Sequence, residues 1–381
     1  MERPDEPGDT ITVAVGLTQC WHRVPGGTAT SVLDLVAALG GRRGIRVVGV
    51  GPRSRRPPSP EAPVVPVRRL PLPLPVLYDA WSWFGGPRMG RSVPEADLVH
   101  VTVPISPPRE RVPVVATVHD VLPVTNPEWF SDRGVALMRR GLEAIVASAA
   151  AVVVPSESTR RGCVDLGVDP ARLQVIPWGA PGVPEVTAEE VRSMEQRHGL
   201  RAPYVCFVGT AEPRKGLSVL VDALRTLGRR DLQLALAGPR GWGDAGVDRL
   251  GEVPGGVVEL GHVSRRDLSV LEFGAAAVVL PSLAEGFGLP VLESLAAGAV
   301  VVTSSGTACA EVAGDAALTV PPGDARALAE QIGLVLEDAP TAHELRDRGR
   351  IRAASFTWSA TAAGMERVYR SVLGRTGAGA P

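Results

Sequence analysis

The chain has 381 residues, 45% of them hydrophobic and 21% charged, which is enough for two domains with cores of their own. A formal net charge of −1 excludes a nucleic-acid binder driven by bulk electrostatics. Cys20, Cys163, Cys206 and Cys309 are scattered, with no CxxC pair, which excludes a disulfide scaffold and points to a reducing, intracellular compartment. The first ten residues, "MERPDEPGDT", are polar and acidic and unlike a secretory leader. The longest nearly uncharged apolar run, "AIVASAAAVVV" (144–154), is too short to cross a bilayer. A soluble, cytoplasmic protein is expected.

Along the chain, apolar β-rich runs alternate with helix-period segments. The first half offers "ITVAVG" (11–16), "RVVGVG" (46–51), "DLVHVTV" (97–103), "VVATVH" (114–119), "AVVVPS" (151–156) and "LQVIP" (173–177) as strands. Helices such as "GTATSVLDLVAALG" (27–40) and "ESTRRGCVDLG" (157–167) fall between them. Within this half, "PRSRRPPSPEAPVVPVRRLPLPLP" (52–75) is too rich in proline for regular structure. It reads as a rigid surface connection, with a loop shaping an acceptor cleft as the sharper alternative. The segment 180–203 is polar, proline-bearing and helical in its middle, and reads as an interdomain connection over 181–203. The strand pattern then restarts with "YVCFVG" (204–209), "LQLALAG" (232–238), "VVELG" (257–261), "AVVLPS" (277–282), "VVVTSS" (300–305) and "ALTVPP" (317–322).

These strands are continuously apolar, as parallel sheets covered by helices on both faces require. Two doubly wound, Rossmann-like α/β domains are therefore expected, over 1–180 and 204–358, with a disordered tail over 375–381. In such sheets ligands sit beyond the carboxyl ends of the strands.

Two turns at such ends carry chemistry. In "AVVLPSLAEGFGLPVLESLAAG" (277–298), seven residues separate Glu285 from Glu293, and "AEGFG" links a strand to a helix with Pro290 at its first position and Gly298 as its stop. Amides at that helix start would cradle an anion or polar ligand, and Gly286 and Gly288 would let the backbone approach it closely. Glu285 would project into the crevice and grip sugar hydroxyls, while Glu293 would reach a ribose diol. The ordinary alternative is a solvated loop acid and a carboxylate complementing the helix dipole. In "FVGTAEPRKGLSVLVDAL" (207–224) a strand ends at Gly209, and Arg214 and Lys215 precede a helix opening near Gly216. Two cations at a helix N-terminus ask for an anion such as a diphosphate. A solvated basic turn is the alternative.

With "LALAGPRGW", "LGHVSRRDL" and "SSGTACAEVAGDAALTVPPGD", these segments resemble glycosyltransferase family four. The resemblance covers 204–325 and extends, less completely, to 24–39, 116–130 and 151–162. It implies a retaining, metal-independent hexosyltransferase of GT-B fold, with two domains facing across a cleft and a nucleotide sugar as donor, GDP- or UDP-linked. Arg214 and Lys215 would hold the donor diphosphate, and Glu285 would contact the donor sugar. Main-chain groups of Gly286, Phe287, Gly288 and Leu289 would bind sugar and phosphate, with Gly209 beside them. Glu293 would take the ribose, and the base would lie near His262 and Val263. The loop at Gly26–Gly27 would approach the phosphates, His119 would approach the sugar face, and the helix 359–374 would return to the first domain. Mannose is the favoured sugar, and no cofactor is expected.

Other residues are less defined. His119 and Asp120 end a strand, and a structural histidine capping a turn competes with a catalytic one. Trp21 and His22 follow the first strand and are candidates for lining the acceptor site. The absence of any Asp-x-Asp agrees with a metal-independent reaction. "GWGDAG" (241–246) matches a dinucleotide fingerprint but lacks the following helix and acid. A nucleotide-sugar epimerase or hydrolase, or a non-catalytic nucleotide-sugar-binding partner, remains as an alternative. The acceptor would be a saccharide, lipid-linked or small-molecule hydroxyl. The basic run 133–146 is compatible with peripheral contact at the inner membrane face, though such a run is more often a solvated helix face.

Overall fold

The computed structural model describes residues 10–22, 26–59, 61–105, 109–241, 243 and 245–375. The chain divides into two compact units, one of Met1–Gly179 with Trp358–Pro381 and one of Ala180–Thr357.

In the first unit β1 (Ile11–Gly16), α1 (Gly26–Gly40), β2 (Ile45–Gly51) and β3 (Val67–Arg69) are followed by α2 (Leu74–Phe84) and the short α3 (Met89–Ser92). Then come β4 (Leu98–Val101), β5 (Val114–Thr117), α4 (Leu122–Thr125), α5 (Asp132–Ser148), β6 (Ala151–Val154), α6 (Glu157–Asp165) and β7 (Leu173–Val175). The sheet runs β3-β2-β1-β4-β5-β6-β7, all parallel. The central strands are buried on both faces because α-helices cover each side, which is why they read as unbroken apolar runs. The proline-rich segment departs from expectation. Between Pro66 and Pro71 it holds the three-residue edge strand β3, where proline's missing amide does no harm to the ladder, and α2 begins within its last residues.

The second unit comprises α7 (Ala188–His198), β8 (Tyr204–Val208), α8 (Leu217–Leu227), β9 (Gln233–Ala237), β10 (Val257–Gly261) and α9 (Arg265–Gly274). It continues with β11 (Ala277–Leu280), α10 (Leu289–Ala297), β12 (Val301–Ser304), α11 (Ala308–Ala313), β13 (Leu318–Val320), α12 (Ala325–Glu337) and α13 (Ala339–Ala354). The sheet order is β10-β9-β8-β11-β12-β13, again all parallel. The segment read as a connection belongs to this unit. Thr187 and Glu190 close a capping box on α7, and the Arg266 guanidinium donates to the carbonyls of Pro184 and Glu185, both at 2.9 Å. The dinucleotide-like segment leads into a 3₁₀ turn over Val247–Glu252, with no α-helix there. Trp242 and Asp244 within it lie outside the described residues, as does the tail beyond Arg375.

The chain finally enters α14 (Trp358–Val372), whose Ala362, Met365, Val368 and Tyr369 join the first unit's core with Val13, Val15 and Leu35. Tyr369 is hydrogen-bonded through its hydroxyl to His100 Nδ1 at 2.8 Å, and His100 Nε2 meets Thr117 Oγ1 at 2.8 Å. Burial pushes His100 down to about 3, so this ring stays neutral. Among the described residues no helix is long and apolar enough to cross a membrane.

Candidate functional site

In both sheets the strand order reverses beside the first strand, so the carboxyl ends of β1 and β4, and of β8 and β11, border a switch point. The second unit places its charged motifs there. The loop after β8 makes a 3₁₀ turn over Pro213–Lys215, Gly216 caps α8, and the loop after β11 leads through Glu285 to Gly288, which caps α10. The backbone joins the loops directly, since the Leu283 amide donates to the Arg214 carbonyl at 2.7 Å. Gly216 is required by this contact. Its φ is +70°, and a Cβ there would stand 2.1 Å from the Pro281 carbonyl oxygen. Gly288 has φ +102° and lies against Cys309.

Here 70 residues of sequence separation close to an ion pair. Lys215 Nζ donates to Glu285 Oε1, and Arg214 Nη1 donates to Glu285 Oε2 at 2.6 Å. Arg214 Nε also donates to Glu212 Oε2 at 2.8 Å, and Ser282 Oγ donates to Glu285 Oε1 at 3.3 Å. The side chains of Lys215, Glu285 and Glu212 are only 10%, 11% and 11% exposed. Burial by itself would raise Glu285. The charges of Arg214 and Lys215, with their hydrogen bonds, override it and hold the carboxyl down at about 2. This excludes one reading. Glu285 is not the solvated loop acid offered as the alternative, because it folds onto the two cations that asked for an anion. Two carboxylates and two cations make a neutral quartet at the sheet edge, beside the amide-bearing starts of α8 and α10.

The remaining residues of this unit line the same edge. Glu293 is half-buried on α10, one position later in its helix than expected, because α10 opens at Leu289 and Pro290 takes the second position. Phe287 is buried, its ring edge-on to Phe356 at 6.2 Å, so it would serve a ligand through its backbone. Gly209 follows β8 directly, and Gly286 continues the loop after Glu285. His262 and Val263 follow β10, the edge strand two places from β8.

Three groups escaped sequence reasoning. Glu212 and Ser282 complete the quartet's hydrogen bonds, and Glu272 stands buried on α9 at 1% exposure. Ser294 Oγ lies 2.8 Å from Glu272 Oε1 and 2.7 Å from the Pro290 carbonyl. Burial, reinforced by the nearby Glu293 charge, holds Glu272 well above the usual carboxylate range. An acid inside the apolar run "SVLEFGAAAVV" was the available signal.

In the first unit His119 Nε2 donates to the Thr102 carbonyl at 2.9 Å, which fixes the proton there and leaves Nδ1 as the acceptor. Burial pushes the ring down to about 4, so it is neutral. It packs 5.5 Å from Trp178, itself stacked on Trp358. Asp120 accepts from the Leu122 amide at 3.0 Å and so shapes the turn. Trp21 and His22 have partners within the first unit. Trp21 Nε1 donates to the Arg56 carbonyl, with Arg69 over the ring at 4.3 Å, and His22 meets the Tyr78 hydroxyl at 2.6 Å. These contacts help hold the proline-rich segment and α2, and both side chains stay half-buried. Gly27 is exposed in the first turn of α1, and residues 23–25 before it lie outside the described residues.

Comparison with known proteins follows the same division. Residues 25–181 match the family described as Glycosyltransferase Family 4, and residues 192–352 match Glycosyl transferases group 1. The O-antigen chain mannosyltransferase B of Escherichia coli is 32% identical over 253 residues, 64% of this chain and 66% of that protein. The MMP alpha-(1->4)-mannosyltransferase of Mycolicibacterium hassiacum is 30% identical over 240 residues, 60% of this chain and 55% of that protein. The chain thus spans less than two thirds of the length of these curated relatives. Sucrose-phosphate synthase from Thermosynechococcus elongatus has a similar structure, with a TM-score of 0.77 at 23% identity, covering 96% of this chain and 100% of that one. Anabaena HepE, solved with UDP and glucose, gives a TM-score of 0.75 at 17% identity, covering 95% and 100%.

Proposed function

The chain belongs to glycosyltransferase family four and has the GT-B fold, and from that premise we propose that it is a retaining, metal-independent hexosyltransferase. It would move a mannosyl group from a nucleotide diphosphate sugar to a hydroxyl of a saccharide, lipid-linked or small-molecule acceptor. The observation that carries this reading is the buried quartet of Glu212, Arg214, Lys215 and Glu285 at the switch point between β8 and β11. Arg214 and Lys215 are already held in position beside the amide-bearing starts of α8 and α10, so a diphosphate would share these cations with Glu285 and add the helix amides as donors. Mannose is favoured because both relatives described above are named mannosyltransferases.

The acceptor hydroxyl oxygen would attack the anomeric carbon on the face from which the diphosphate departs. The bond from that carbon to the phosphate oxygen breaks, the new glycosidic bond forms, and the hydroxyl proton passes to the leaving phosphate. Arg214, Lys215 and the amides opening α10 would stabilise the charge on the leaving group. Glu285 would keep both cations aligned and present its carboxylate to the sugar, and Glu293 would hold the ribose. His119, neutral with Nδ1 free of its proton, would accept a hydrogen bond from a sugar hydroxyl. The reaction would run inside the cell, in the cytoplasm or at the inner membrane face.

The test is a thermal-shift panel of GDP- and UDP-sugars with chelator present, on wild type and Lys215→Ala, followed by product analysis with and without acceptor. Stabilisation by one nucleotide class, lost in the variant, is expected, with transfer only when acceptor is added. Free sugar or an epimer released without acceptor would assign a hydrolase or epimerase instead. Binding with no turnover would assign a non-catalytic partner.

A further inference from the structure

We propose that the end of α2 is a membrane-docking wedge, with Trp83 and Phe84 entering the interface of an anionic phospholipid surface and Arg88, Arg109 and Arg140 meeting its headgroups. This inference goes beyond the transfer reaction and does not rest on it.

Helix α2, "LPVLYDAWSWF", is apolar on two faces. Leu74, Leu77, Tyr78 and Trp81 recur at helical spacing and pack with Val48, Val50 and Leu137 in the first unit's core. Val76, Ala80, Trp83 and Phe84 recur at the same spacing on another face, where Val76 is 50%, Trp83 69% and Phe84 84% exposed. A helix apolar on two faces is normally covered on both. Among the described residues, these are the two exposed large aromatics, and they are adjacent.

Their surroundings are cationic. Arg140 lies over the Trp83 ring at 5.0 Å and donates to Ser82 Oγ at 3.0 Å. Beyond the helix end, the Arg109 side chain lies against Gly85, and Arg88 Nε donates to the Arg109 carbonyl at 2.8 Å. Arg139 is exposed beside Arg140 on α5. Of the neighbouring acids, Asp79 is taken by Arg133 at 2.7 Å, and Glu110 by the amides of Met89 and Gly90 at 2.6 and 3.2 Å. Asp132 and Glu143 are exposed elsewhere on α5.

The chemistry selects lipid among occupants. Small ligands take concave sites, whereas a side chain as exposed as Phe84 stands proud of the surface. A two-fold dimer would set this patch against itself, arginine against arginine. An anionic bilayer offers acyl interface for the aromatics and phosphate for the guanidinium groups, the two signals that reversible anchoring needs together.

The experiment sediments the full chain, without donor, with vesicles of phosphatidylcholine alone or with about one third phosphatidylglycerol, at low and high salt. Binding to the anionic vesicles, weakened by salt and accompanied by a blue shift in tryptophan fluorescence, is expected. It should fall by about tenfold or more in Trp83→Ser with Phe84→Ser, and in Arg109→Glu with Arg140→Glu. Wild-type circular dichroism would show that both variants fold. Absence of wild-type binding, equal binding by the variants, or equal binding to neutral vesicles would overturn the proposal. So would a lipid-free dimer that the variants abolish.

Discussion

Lys215 and Glu285 show at single-residue scale how burial and charge compete. Removing an ammonium or a carboxylate from water costs several kcal/mol, and their contact, shared with Arg214 and Glu212, offsets that cost. Because Glu285 is held at about 2, below its usual 4.5, it adds stability that is complete above about pH 5 and is lost as the pH falls toward 2. Glu285→Gln should therefore cost about 3 kcal/mol in urea unfolding at pH 7, with the gap to wild type closing at acid pH. Lys215→Ala should lower kcat by about 100-fold or more while leaving Glu285 paired with Arg214, a loss read directly in transfer assays. Glu272 has the opposite sign. Its carboxyl is raised by burial and by Glu293, so folding is favoured at acid pH and penalised as the pH rises past the unfolded carboxylate range. Glu272→Gln should melt higher than wild type at pH 7 and nearly with it at pH 4.

At the scale of elements, the site depends on two loops that reach the same sheet edge. Gly216→Ala combines a left-handed φ with a Cβ driven into the Pro281 carbonyl. It should cost about 3 kcal/mol or more and abolish donor-induced stabilisation, whereas Gly228→Ala, at a similar φ but open at the end of α8, should cost only about 1 kcal/mol. Thermal melts of the two variants with and without donor would separate strain from loss of the site. Helix α14 is tied to the first sheet by a buried hydrogen bond as well as by packing. Tyr369→Phe, which leaves His100 Nδ1 without its partner, should cost about 1–3 kcal/mol.

At the scale of the molecule, each unit has its own apolar core, and Ala362, Met365, Val368 and Tyr369 of α14 join that of the first. A nucleotide sugar held by the quartet should raise the melting temperature of the chain, and raise it less in Lys215→Ala, as calorimetry with and without donor would show. Removal of residues 358–381 should destabilise the first unit by exposing the surfaces that Met365 and Tyr369 cover.

Much of this was legible in the chain because it is local. Continuous apolar runs marked the central strands of both sheets, and Gly216 and Gly298 marked helix ends through backbone conformations that other residues resist. The position of Glu285 and Glu293 on one turn and helix, and of Arg214 and Lys215 on another, followed from spacing alone. The edge strand inside the proline-rich segment was not legible, since its three residues pair only because β2 lies beside them. Nor was the engagement of Trp21 and His22 by the segments packed over them. The sequence by itself determined which residues follow the strands at the carboxyl edges of the sheets. Only the tertiary structure decided that β8 and β11 are neighbours, which sets Lys215 against Glu285 across 70 residues and buries Glu272 near Glu293. The reason is physical: local signals act over a few residues, whereas strand order is settled by the packing of the whole sheet, and charge pairing follows from it.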